Sequence, residues 1–96
     1  MIKHVVSWEF TEENKTDNLK RMKELLDELP SLIPAIEDYE VGLNIKVSEL
    51  AMDMVLISSF ADETALQTYA NHPEHKRVVE ALHGVTTKAV IVDYKV

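Results

Sequence analysis

The chain has 96 residues, no long Gly, Pro or Ser tract, and 17 acidic against 10 basic side chains for a formal charge of −7. This describes one domain over residues 1–96 and excludes nucleic acid and anionic membrane surfaces as partners, because both would repel it. A 46% hydrophobic and 28% charged composition excludes disorder, the absence of cysteine excludes disulfides, thiol nucleophiles and cysteine zinc sites, and the lack of a long apolar run or signal-peptide block sets the expectation of a cytoplasmic protein.

Residues 1–10, MIKHVVSWEF, alternate as a strand does. Ile2, His4, Val6, Trp8 and Phe10 fall on one face, and Lys3, Val5, Ser7 and Glu9 on the other. Thr11 is placed to cap a following helix whose apolar stripe is Leu19, Met22, Leu26 and Leu29, with Glu12, Glu13 and Asp17 near its positive end. Pro30 and Pro34 are expected to stop that helix, since proline lacks an amide donor and crowds the residue before it. Residues 39–45, YEVGLNI, read as a second strand, VSELA as a connection, and 53–60, DMVLISSF, as a third strand rich in β-branched and aliphatic residues.

Asp62 suits the N-cap of a short helix carrying Leu66 and Tyr69 and ending before Pro73. Pro73 suits the first position of another helix, with His72 serving its cap, Val78, Val79 and Leu82 as its stripe, and Gly84 as its stop. His83, beside Gly84, is read as satisfying that helix C-terminus. Residues 86–96 form a last strand. The order β-α-β-β-α-β, with the second helix broken, predicts an α+β ferredoxin-like sandwich with a four-stranded antiparallel sheet.

Such a sheet carries helices on one face only, yet both of its faces are apolar here. Val5 opposes Val6 and Trp8; Val55 and Ile57 oppose Met54 and Leu56; Val90 and Val92 oppose Ala89 and Ile91. Covering even about 600 Å² of apolar surface is worth on the order of 15 kcal/mol before association costs. A second copy of the chain is therefore expected over the uncovered face, giving a homodimeric α/β barrel whose interior holds Trp8 and encloses a pocket.

YANHPEHKRV, residues 69–78, sets a phenol and two imidazoles within seven residues. His75 follows the spacing of Val78, Val79 and Leu82, so it points with the apolar stripe, and its place near a helix N-terminus disfavours the imidazolium form. A neutral imidazole can take a proton from a carbon acid, and a phenol such as Tyr69 can donate a hydrogen bond to a carbonyl oxygen. A histidine on an apolar stripe also fits a core position bonded to backbone, and Trp8 fits plain interface core as well as a ligand wall. His72 and His75 are split by Pro73 across a helix boundary, so no metal site is expected there, and with only two glycines no nucleotide cofactor is expected.

IKHVVSWEF, LIPAI, EVGLN, SSFADETALQTYANHPEHKRV and VDY, in this order, resemble the stress-responsive α/β-barrel (Dabb) domain family over nearly the whole chain. The resemblance implies the ferredoxin-like dimeric α/β barrel. In one branch, similar to olivetolic acid cyclase, it further implies metal-free and cofactor-free ring closure with catalytic roles at the positions of Tyr69, His75 and His4. Val6, Trp8, Met22, Leu26, Met54, Leu56 and Ile91 would then surround a pocket; Trp8 and Met54 depart from that branch in size or polarity, which leaves the substrate open. Three functions follow as expectations: a homodimeric binder of a small hydrophobic carbonyl or aromatic compound with cofactor-independent acid/base chemistry, a noncatalytic stress-response or structural barrel, and a cofactor-free monooxygenase.

Overall fold

In a computed structural model describing Met1–Val96, the elements run β1 (Ile2–Phe10), α1 (Lys15–Leu32), β2 (Ile36–Leu43), β3 (Met54–Phe60), α2 (Glu63–Asn71), α3 (Pro73–His83) and β4 (Thr86–Lys95). The strands make one sheet in the order β2-β3-β1-β4, and every neighbouring pair is antiparallel. This is the ferredoxin-like α+β sandwich that the element order predicts. No helix is long and apolar enough to cross a membrane.

Alternation in β1 decides which face the helices cover. Ile2, Val6, Trp8 and Phe10 are buried with Met54, Leu56 and Phe60 of β3, against Met22, Leu26 and Leu29 of α1, Tyr69 of α2, and Val78 and Leu82 of α3. Trp8, only 7% exposed, lies within the core of its own chain. The expectation that a second copy buries it is corrected: the bulkiest face of β1 has the most to gain from the apolar stripes of the helices and takes them. The opposite face carries Val5, Val55, Ile57, Val90, Val92 and Tyr94, none of them buried. Two apolar faces are thus present as expected, with their assignment exchanged.

Local chemistry moved some boundaries. Helix α1 starts at Lys15, after Asn14 in the left-handed region (φ 54°), with no side-chain cap. Thr11 is not its cap, because a turn over residues 12–14 separates it from the helix, ending on the left-handed conformation that asparagine tolerates better than most residues. Pro30 sits inside α1, and the helix ends only at Leu32. A proline in the last turn removes a single intrahelical bond, and the Ile33 N–H still donates to the Leu29 carbonyl at 2.9 Å. Strand β2 begins at Ile36, three residues before the expected start, and shifts register between Ile36 and Asp38. Asp53 ties the open ends together, its carboxylate accepting from the Phe10 N–H at 2.7 Å and lying 3.4 Å from Lys15 Nζ.

The helix break that positions the histidines forms as its residues dictate. The Asp62 carboxylate accepts from the Ala65 N–H at 2.8 Å and caps α2. His72, held extended before Pro73, accepts from the Glu74 N–H through Nδ1 at 3.1 Å and caps α3. Pro73 occupies the first turn, where its missing donor costs nothing.

Candidate functional site

Helices α2 and α3 cover the sheet unevenly, and the inner side of β4 is left partly open. There a cavity of about 370 Å³ lies within one chain, lined by His4, Val6 and Trp8 of β1, Ala70 of α2, His75, Val79, Leu82 and His83 of α3, and Thr86, Ala89 and Ile91 of β4. The small side chains Ala70 and Ala89 leave the space that larger ones would fill. The chamber expected between two copies is corrected in the same way as Trp8: the cavity lies on the helix-covered side, between α3 and the β1–β4 half of the sheet.

His75 reaches the cavity because it is the third residue of α3, one turn before Val78 and Val79. Its Nδ1 lies 3.1 Å from the Ala70 carbonyl, which can only accept, so Nδ1 carries the proton and Nε2 keeps the free lone pair. Burial holds its pKa below the ordinary imidazole range; the Ala70 carbonyl opposes that shift, and the charges of His4 and His72 add to it. His75 is therefore held toward its neutral form. His4 is fixed by Asp93, its Nδ1 bonded to Oδ1 of that carboxylate across the β1–β4 pair. The acceptor again leaves Nε2 as the free ring nitrogen.

Tyr69 is placed differently from the role given it by resemblance. It is 1% exposed and lies behind the cavity wall, with its ring centroid 4.3 Å from His75, 4.9 Å from Phe60 and 6.0 Å from His4. Its hydroxyl shares a hydrogen bond with that of Tyr39 at 2.9 Å. Burial pushes the Tyr69 phenol up to about 12 despite the opposing bond from Tyr39, and burial followed by the proximity of Tyr69 raises Tyr39 further. Both phenols stay protonated at neutral pH. Tyr69 joins His4 and His75 in one aromatic cluster and supports both rings. Replacing Tyr39 by Phe strands the buried Tyr69 hydroxyl and is expected to cost about 1–3 kcal/mol, while the Tyr39→Phe/Tyr69→Phe pair recovers most of it. Urea denaturation checks this; a double variant no more stable than the single would show that the two hydroxyls are uncoupled.

Of the apolar residues given to the pocket, Val6, Trp8 and Ile91 line it. Met22, Leu26, Met54 and Leu56 lie in the closed core, outside its wall. His83, assigned from sequence to the helix end, lines the cavity; His75, Val79 and His83 are spaced by four and form one ridge of α3, a signal present in the sequence. Asp93 and Tyr39 were missed because their partners are distant along the chain. No group of three His, Asp or Glu side chains is placed to hold a metal ion.

The model of the Stress responsive A/B Barrel Domain (Dabb) matches residues 2–96. No curated protein matches the sequence. Among solved structures, a dimeric protein of unknown function and ferredoxin-like fold from Bacteroides fragilis has a TM-score of 0.90 at 29% identity, covering 99% of this chain and 95% of that one. A dimeric ferredoxin-like protein of unknown function from Jannaschia sp. has a TM-score of 0.83 at 25% identity, covering 99% and 98%. A hydroxynitrile lyase from Passiflora edulis shares the fold at a TM-score of 0.86 and 11% identity, covering 97% and 90%. With the element order, the sheet and the full-length match in agreement, the chain belongs to the stress-responsive A/B barrel (Dabb) family.

Proposed function

We propose that the protein is a homodimer paired through the outer sheet face, and that the cavity of each copy binds a small hydrophobic carbonyl or aromatic compound and performs acid/base chemistry on it. One observation carries the reading. Of the three imidazoles on a mostly apolar wall, those of His4 and His75 are each held at Nδ1 by a protein acceptor, so that each of these rings has one defined nitrogen left for a ligand. A core histidine needs a partner but no cavity; this pair has both. The apolar outer face and the dimeric relatives support the pairing.

The chemistry that suits the site is enolisation. Nε2 of His75 removes a proton from the carbon next to a carbonyl, the C–H electron pair moves into the C–C bond, and charge develops on the carbonyl oxygen. His4, steadied by Asp93, positions the carbonyl end, and Tyr69 holds the plane of the His75 ring from behind. The imidazolium then returns its proton to carbon or oxygen, so the step needs no oxidant. Benzoylacetone, an aryl diketone, is a suitable probe. The expected result is exchange of its α-protons in D₂O, by NMR, faster than with an equal concentration of free imidazole. Exchange no faster than that background would leave only the binding part of the proposal.

A further inference from the structure

The segment between β2 and β3 has no role in the cavity, and it carries the three most exposed large hydrophobic side chains of the chain. Ile45, Val47 and Leu50 are 99%, 102% and 91% exposed, so they touch almost nothing in their own copy. The backbone beneath them is nevertheless held in a defined shape. The Asn44 side chain donates to the Lys46 carbonyl at 2.7 Å and accepts from the Lys46 N–H at 3.0 Å, and the Ser48 hydroxyl accepts from the Leu50 N–H at 3.1 Å. At its root the Asn44 N–H donates to the Asp53 carbonyl at 2.9 Å, and the Asp53 N–H to the Trp8 carbonyl at 2.8 Å. An apolar arm is thus fixed in an outward position.

The arm also adjoins the outer sheet face. Its root borders a cleft of about 370 Å³ lined by Ser7, Gly42 and Val55 of that face together with Leu43, Asn44, Leu50, Met52 and Met54. A Cβ at Gly42 would come within 3.3 Å of Val55 Cγ1, which would have to shift by a few tenths of an ångström to admit it. Area decides the occupant. The outer-face residues are partly shielded by one another; Ile57, Val90, Val92 and Tyr94 are only 37–62% exposed, whereas a stable interface covers roughly 800 Å² per partner. Three fully exposed aliphatic side chains offer on the order of 300 Å² of apolar surface, a sizeable part of what one partner of such an interface covers.

We infer that the 44–50 arm is a clasp for a second copy of this chain, closing on it beside the paired sheet faces and supplying a large share of the apolar contact. The inference rests on the sheet-face pairing proposed above, and the two can be told apart. Sedimentation velocity across a concentration series is run on the full chain, on Ile45→Asp/Val47→Asp and on Val92→Asp, with far-UV circular dichroism to confirm folding. The arm residues touch little of their own copy, so the double variant should fold as the wild type does. Its dimer dissociation constant should rise at least about a hundredfold, in keeping with two apolar anchors of about tenfold each. A double variant that dimerises as tightly as wild type, while Val92→Asp dissociates, overturns the clasp alone. Retained dimers in both variants, or a monomeric wild type, overturn the face pairing as well and the clasp with it.

Discussion

Exchanging His75 for Gln is expected to lower α-proton exchange of benzoylacetone by about 10²–10⁴-fold, the range ascribed to a positioned general base, while leaving fold and association unchanged. Glutamine can keep a hydrogen bond to the Ala70 carbonyl but has no basic nitrogen, so the comparison isolates proton transfer from packing. The pH dependence gives a second reading of the same residue. Because burial depresses the His75 pKa, the base stays free below the ordinary imidazole range, and the rate should fall only as pH drops through the lowered value. Stability should follow the same group. The unfolded chain takes up the His75 proton first, near about 6.5. Folding stability is therefore lost as pH falls from that value to the lower folded one, and His75→Gln should flatten this part of the profile. Urea titrations at several pH values between neutral and mildly acidic check it. An exchange rate unaltered by the substitution would reject His75 as the base.

Substitutions on the two faces of the sheet should separate two kinds of loss. Trp8→Ala removes a large buried side chain that belongs to the core with Met54 and Leu56 and also walls the cavity, and is expected to cost about 3–5 kcal/mol of folding stability. Its effect should appear in the folding of the single chain. Val92→Asp lies on the outer face, where its side chain meets solvent in the free chain, so folding should survive. A carboxylate within an apolar pairing surface is then expected to raise the dimer dissociation constant by at least about a hundredfold. Denaturation and sedimentation on both variants decide the matter. If Trp8→Ala weakened association with little loss of folding stability, the assignment of faces would be reversed.

The element order was legible because each element advertises itself locally. β1 alternates, α1 repeats at helical spacing, and Asp62 and Pro73 bracket the helix break. The two-sided character of the sheet was also legible, from Val5 against Val6 and Val90 against Ala89. Which side the helices would take was not, since both faces are apolar and only packing against Met22, Leu26 and Tyr69 distinguishes them. The cavity wall depended on that choice. Met54 and Leu56 were expected to line a pocket and instead lie in the core, while His83 was read for its neighbour Gly84 although it continues the ridge of His75 and Val79. Asp93 and Tyr39 act through contacts that strand pairing and the packing of α2 create, and no local pattern in the sequence announces them. The start of α1 depended on a left-handed Asn14, and its end on a proline that the last helical turn tolerates.

Whether the cavity of a single chain is the binding site is tested most directly by NMR titration of the isotope-labelled protein with benzoylacetone. Shifts should saturate at the His4 and His75 rings and at the methyls of Val79, Ala89 and Ile91, with the same pattern in the monomeric Val92→Asp variant. Perturbations confined to Val5, Val55, Ile57 and Val92, or binding that disappears when the copies separate, would place the ligand between copies and contradict the account.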